Sequence, residues 1–142
     1  MDTSSTWFHA NTFPAQPVSA RHARAFVAAC LIEHRVWHLV DPVRVVASEL
    51  ATSALMHGSA PFTMTLSANA EVVVLTLGQD GAHVPTQRSS SEDDLLGARR
   101  AIVEVLSRSW GVTMAGDGGR ELWAIFPAAA RDAVLRDGPG SS

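Results

Sequence analysis

Hydrophobic and polar positions along the chain repeat with two periods, a period of two that is typical of strands and a period of 3.6 that is typical of helices. Asp41 and Pro42 are typical of a helix N-cap and first helical residue, and Gly58 of a helix end. In chain order, the pattern predicts a strand over 6–13, a helix from Pro17, a helix over 41–57, strands over 62–66 and 71–77, a helix from Ser91, strands over 110–114 and 121–126, and a short helix over 128–136.

This order of elements predicts an α/β chain of the α+β type. The expected architecture is a two-layer sandwich in which three helices cover one face of a mixed β-sheet. The third helix is expected to point four side chains towards the core, those of Leu95, Ile102, Val103 and Leu106. With 142 residues, 46% of them hydrophobic, the chain fits a single domain, predicted over 1–136, followed by a flexible tail over 137–142.

Composition excludes several function classes. All eleven basic residues are arginine, so a P-loop lysine and Schiff-base chemistry are both excluded. A net charge of −3 argues against direct binding of nucleic acid. The longest apolar run, 25–32, is far shorter than the roughly 20 residues that a membrane helix needs. No signal peptide is evident and Cys30 is the single cysteine, expected to be a buried small hydrophobe, so the sequence predicts a cytoplasmic protein.

The second predicted helix carries a distinctive spacing. Glu49 is followed four residues later by Ser53, and the helix ends in His57 and Gly58. Together with the segments that follow, this pattern resembles the N-box and later motifs of the GHKL ATPase superfamily, which includes gyrase, MutL and sensor histidine kinases. The resemblance is best to the short, single-domain anti-sigma-factor serine kinases of actinobacteria, and it covers roughly residues 6–127. The later segments are 75–81, 97–106, 109–112 and 119–126.

The resemblance implies a Bergerat-type ATPase fold that binds ATP and magnesium. Glu49 takes the position of the glutamate that orients or deprotonates a nucleophile. Ser53 takes the position of the asparagine that holds magnesium, and Gln79 that of the aspartate that accepts a hydrogen bond from the adenine amino group. By motif position, the implied nucleotide-binding residues are Ser53, His57, Gln79, Gly81, Gly97, Arg99 and Arg120.

Three of these positions depart from the family pattern. Ser53 is shorter than asparagine, and Gln79 is neutral, while the adjacent Asp80 is expected on the opposite face of its strand. Arg99 replaces the second glycine of the lid's Gly-x-Gly. The acidic run over 89–94 begins a helix, either as a solvated cap or as a substitute for the phosphate charge, and its carboxylates would repel a triphosphate. We therefore expect an ATP and magnesium site that is weakened or lost.

Two functions follow from the resemblance. The first is a regulatory protein of the anti-sigma-factor family that acts by protein binding, with a sigma factor, a STAS-type anti-anti-sigma protein or both as partners. The second is an active ATP-dependent protein serine/threonine kinase that phosphorylates an anti-anti-sigma factor. Ser53, Gln79 and Arg99 favour the first. The family also implies a homodimer, and neither function involves a membrane or direct contact with nucleic acid.

Plainer interpretations remain for the same residues. Glu49 is equally explained as a solvated or salt-bridged residue of an amphipathic helix, and His57 as a residue that interacts with the helix dipole. His34 and His38 have the i, i+4 spacing of a metal-binding pair. However, Arg35 stands where the zinc-protease pattern requires glutamate, so a metal site at this pair is disfavoured.

Overall fold

A computed structural model of the chain describes residues 6–80, 97–114 and 119–130. Each predicted strand is present within these residues, with bounds that differ by one or two positions. The elements are β1 (Trp7–Phe13), α1 (Val18–Glu33), a 3-10 turn (Trp37–Leu39), α2 (Val40–His57), β2 (Phe62–Ala68), β3 (Val72–Gln79), a second 3-10 turn (Gly97–Arg99), α3 (Arg100–Leu106), β4 (Ser109–Met114) and β5 (Arg120–Pro127).

The strands form one five-stranded sheet in the order β1-β2-β3-β5-β4. All four pairings are antiparallel, so the prediction of a mixed sheet is wrong for the described residues. The reason lies in the order of the strands. β3 and β4 run in the same direction because α3 lies between them in the chain, but β5 is inserted between them in the sheet. Strands of the same direction therefore never become neighbours.

The helices cover one face of this sheet and produce a two-layer α+β fold, as predicted. Side chains alternate along β2, β3 and β5 between fully buried positions on the helix side and half-buried positions on the other side. On that other side, hydroxyls pair across the strands, Thr12 with Thr63 and Thr65 with Thr76. The largest fully buried side chains are Phe62, Phe126, Leu31, Leu50, Met64, Leu66, Leu75, Leu77 and Leu122.

The starts of the helices differ from the prediction. α2 begins at Val40, directly after a 3-10 turn, so Asp41 lies inside its first turn and makes no cap hydrogen bond. Pro42 is tolerated there because the first N–H groups of a helix have no intrahelical acceptor. Similarly, Pro17 precedes α1 rather than beginning it.

Two predictions for buried side chains have different outcomes. In α3, Val103 is buried as expected, but Ile102 is 39% exposed, which corrects its predicted inward position. Cys30 is buried, as predicted, and burial, with the nearby Glu33 charge, raises the pKa of its thiol to about 11.

Several predictions fall outside the described residues. They concern Gly81, the acidic run over 89–94 with the helix start at Ser91, the inward position of Leu95, and the tail over 137–142. The predicted helix over 128–136 is described only at its first three residues, which are not helical. No helix within the described ranges combines the length and the hydropathy needed to cross a membrane.

Candidate functional site

The last turn of α2 and the adjoining ends of β3 and β5 bring three of the predicted site residues together. Gln79 and Arg120 are directly opposed cross-strand partners. Both side chains therefore project from the same face of the sheet, which is the face that the helices cover. Gln79 is only 4% exposed, whereas Asp80 is exposed. Asp80 lies beyond the last residue of β3, so the opposite orientation of these two neighbours stays a prediction.

Gln79 is the centre of a hydrogen-bond network. Its Nε2 donates to the carbonyl oxygens of Ala54, at 3.2 Å, and Ala60, at 2.9 Å. Its Oε1 accepts from Nη2 of Arg120 at 2.8 Å, and the same Nη2 donates to the carbonyl oxygen of His57 at 2.8 Å. We call these five residues the Gln79 network. Both amide protons of Gln79 are used within it, and the network joins β3 and β5 to α2 and to the segment after α2.

Gly58 provides the space for this arrangement. A Cβ atom added at Gly58 would lie 2.9 Å from Oε1 of Gln79, which is closer than real Cβ atoms approach other groups. The backbone at Gly58 is extended, with φ −163° and ψ 163°. The glycine is therefore required by the close approach of Gln79 and not by a left-handed helix end, which was the basis of its prediction.

The charge in the Gln79 network belongs to Arg120. Partial burial of its guanidinium disfavours the charged form and lowers the pKa of Arg120. An arginine nevertheless stays protonated in a protein, so the cation is held by neutral oxygen acceptors on Gln79 and His57. A hydrogen bond from a charged donor is stronger than one between neutral groups, which fixes the orientation of the Gln79 amide.

A second pair of predicted residues meets at the side of α2. Nε of Arg99 lies 3.2 Å from Oε1 of Glu49, and the two side chains are 30% and 23% exposed. Gly97, two residues earlier, has a φ of +57°, a left-handed conformation that favours glycine. The Glu49–Arg99 ion pair thus joins the candidate catalytic carboxylate to the residue at the position that the resemblance assigns to the second lid glycine.

The other two predicted site residues on α2 are Ser53 and His57. Ser53 is buried, and the His57 side chain is hydrogen-bonded to the backbone of its own helix. Ser53 is 2% exposed. Nδ1 of His57 donates to the carbonyl oxygen of Ser53 at 2.9 Å. Magnesium in proteins usually keeps several water ligands, for which a buried hydroxyl leaves no room. With Glu49 bonded to Arg99, the side chains at these positions do not fit a magnesium ion in the arrangement observed.

Sequence reasoning missed a further cluster of potential ligands. His9 on β1 lies beside Glu33 and His34 at the end of α1, and their ligand atoms are all within 4.8 Å of one another. The helical i, i+4 spacing considered for His34 and His38 does not apply, because α1 ends at Glu33 and His38 lies in the following 3-10 turn, where its Nε2 is 3.3 Å from the carbonyl oxygen of Pro127. His9 is distant in sequence from Glu33 and His34. The signal in the sequence is that alternate residues of β1, including His9, are expected to face the helices.

No protein-family model matches the chain, and no curated protein is significantly similar to it in sequence. The resemblance to the anti-sigma-factor kinases therefore depends on the residues described above.

Proposed function

We propose that the chain is a protein-binding regulator of the anti-sigma-factor type, built on a Bergerat-type fold whose ATP site is filled by its own side chains. The observation that carries this proposal is the Gln79 network, because it occupies the position at which the resemblance places adenine. The order of strands and helices, with α2 carrying Glu49, Ser53 and His57 towards the end of β3, supports the same fold.

At the adenine end of the proposed site, the Gln79 amide already has hydrogen-bond partners within the protein. In the family, a carboxylate at this position accepts from the adenine amino group. Here the amide of Gln79 donates both protons to backbone carbonyls and accepts from Arg120. An adenine amino group at this position would have to share Oε1 with the Arg120 cation or displace one of these partners, and each polar group left unpaired inside the protein costs about 1–3 kcal/mol.

The catalytic end is neutralised in a similar way. A general base must lie within hydrogen-bond reach of the proton that it removes. The Glu49 carboxylate is instead bonded to Arg99 at 3.2 Å. This arrangement supports the regulator over the alternative kinase, in which Glu49 would activate the hydroxyl of a protein substrate.

The proposed partners are a sigma factor, a STAS-type anti-anti-sigma protein or both, bound in the cytoplasm by a homodimer of this chain. To test this, each sigma factor and STAS-domain protein of the source genome is purified and titrated with the chain by calorimetry. We expect at least one complex with a dissociation constant in the micromolar range or below, unchanged by magnesium and ATP.

Two results would contradict the proposal. The first is that none of these proteins binds. The second is transfer of the γ-phosphoryl group from ATP to a serine or threonine of the STAS-domain protein, which would identify the chain as the kinase. A Glu49→Gln variant serves as the control for transfer, since it removes the candidate base and keeps the size of the side chain.

Reconstruction of the family pattern gives a gain-of-function test. The triple change Ser53→Asn, Gln79→Asp and Arg99→Gly restores the amide ligand, the adenine-reading carboxylate and the lid glycine. A carboxylate has about four lone-pair positions, so one at position 79 can accept from both Arg120 and adenine. The hydrogen bond from adenine to this carboxylate is charge-assisted and contributes roughly 1.5–3 kcal/mol, which raises ATP affinity by about ten- to 150-fold.

The control for the triple variant is the double change Ser53→Asn and Arg99→Gly, which retains the Gln79 network and is expected to bind ATP as weakly as the wild type. A triple variant that folds normally and does not gain affinity would show that Gln79 is not what closes the site.

A further inference from the structure

Three side chains with metal-binding atoms meet where β1 passes the end of α1. His9 projects from β1, Glu33 is the last residue of α1, and His34 follows it. All three ligand atoms lie within 4.8 Å of one another. This cluster is separate from the Gln79 network, which is built on α2, β3 and β5.

The His9 and His34 rings point their Nε2 atoms, which could bind a metal ion, towards each other. Nε2 of His9 lies 2.9 Å from Nε2 of His34, so one ring donates the only hydrogen of the contact and the other accepts it. Two imidazole nitrogens bound tetrahedrally to one zinc ion, at about 2.0–2.1 Å each, lie roughly 3.3 Å apart. The two Nε2 atoms therefore need to move apart by only a few tenths of an ångström for both to bind one zinc ion. The hydrogen that they share is lost when the ion binds.

Neighbouring groups hold the rings in this orientation. The indole of Trp7 stacks on the His34 ring with a centroid separation of 4.2 Å and an interplanar angle of 3°. The same indole lies 5.6 Å from the ring of His9. Both histidines are half-buried, and they come from different elements of a packed fold. The two imidazole nitrogens are thus close together before an ion binds. Metal binding therefore costs less side-chain conformational entropy than it would for mobile histidines.

We propose that His9, Glu33 and His34 form a binding site for a divalent transition-metal ion of the zinc type. Two imidazole nitrogens and one carboxylate oxygen are the ligand types that zinc prefers, whereas magnesium and calcium prefer oxygen ligands. Glu33 is exposed, so the fourth coordination position faces solvent and takes water or a group from a binding partner. The carboxylate also offsets part of the charge of the ion.

Titration of the purified, metal-free chain with zinc, in competition with a chromogenic chelator, tests the site directly. We expect one ion per chain, with a dissociation constant below about 10 µM. Titration with cobalt(II) is expected to give the intense visible absorption of four-coordinate cobalt. Zinc is also expected to raise the thermal unfolding temperature, since it binds only to the folded arrangement.

Three variants identify the ligands. His9→Ala, Glu33→Gln and His34→Phe are each expected to weaken zinc binding at least about tenfold, since each removes one of three ligands. The phenylalanine keeps an aromatic ring against Trp7, so the fold is retained. His22→Ala, which changes an exposed histidine elsewhere on α1, is the matched control and is expected to bind zinc as the wild type does.

Two outcomes would overturn the proposal. One is a wild-type dissociation constant for zinc weaker than about 100 µM. The other is affinity that any of the three ligand variants leaves unchanged while circular dichroism shows a native fold. If Glu33→Gln alone is without effect, the histidines bind the ion without the carboxylate and the three-ligand site is wrong.

Discussion

The Gln79 network and the Glu49–Arg99 ion pair both place the protein's own side chains where the resemblance expects a nucleotide, but they differ in how they are held. Gln79 is 4% exposed and bonded to backbone carbonyls of α2 and the segment after it. Arg99 and Glu49 are 30% and 23% exposed and are joined through side chains.

This difference determines how firmly each position is closed. Removing a partner from a buried network leaves polar groups unsatisfied, at about 1–3 kcal/mol each. The Glu49–Arg99 pair is only partly buried, so water and salt screen it, and ion pairs that are accessible to water typically contribute only about 0–1 kcal/mol. We infer that the adenine position is closed by the fold itself, whereas the catalytic position is closed by a contact that opens readily.

The largest expected effect is that of removing Gln79. The change Gln79→Ala leaves the carbonyl oxygens of Ala54 and Ala60 and the guanidinium of Arg120 without this partner. We expect it to lower the free energy of unfolding by about 2–4 kcal/mol, measured by urea denaturation. Asp80→Ala, at the exposed neighbour, is the control and should change stability by less than about 0.5 kcal/mol. Equal effects at the two positions would remove the distinction between the regions.

A smaller effect is expected from filling the space at Gly58. The change Gly58→Ala puts a methyl group 2.9 Å from Oε1 of Gln79 and displaces the amide, at an expected cost of about 1–3 kcal/mol of unfolding free energy. Gly78→Ala is the matched control, because its Cβ meets nothing within 4 Å. In a strand, alanine is expected to be neutral or stabilising at that position. A Gly58→Ala protein as stable as the control would show that Gln79 is loosely held.

The smallest effect is expected from the ion pair. We expect Arg99→Ala and Glu49→Ala each to lower the free energy of unfolding by less than about 1 kcal/mol. The coupling energy from a double-mutant cycle is expected to decrease as sodium chloride is raised, which thermal or urea unfolding at several salt concentrations will show. If Arg99→Ala lowers the free energy of unfolding as much as Gln79→Ala does, the proposed difference between the two regions is wrong.

Local patterns in the sequence predicted the parts of the fold that depend on local geometry. The β-branched residues over 71–77 were sufficient to predict β3, and the register from Leu75 and Leu77 was sufficient to predict that Gln79 lies on the same face. The turn at Asn69 was also predictable, because an asparagine side chain can accept from following backbone N–H groups, as it does here from Glu71 and Val72.

Features that depend on distant contacts were not predictable from local patterns. The insertion of β5 between β3 and β4 makes the sheet antiparallel, and no local period reports the order of strands. The partners of Gln79 are separated from it by 19 to 41 residues, and His34 is 25 residues from His9. The role of Gly58 depends on the Gln79 amide, so it was also not visible in the sequence.

Calorimetric titration of the wild-type chain with magnesium and ATP tests the central claim most directly. If the protein's own side chains fill the site, the dissociation constant will be above roughly 100 µM, which corresponds to less than about 5.5 kcal/mol of binding free energy. A low-micromolar constant would contradict the account. It would show that the Gln79 network opens for nucleotide, and would favour the protein kinase over the binding regulator.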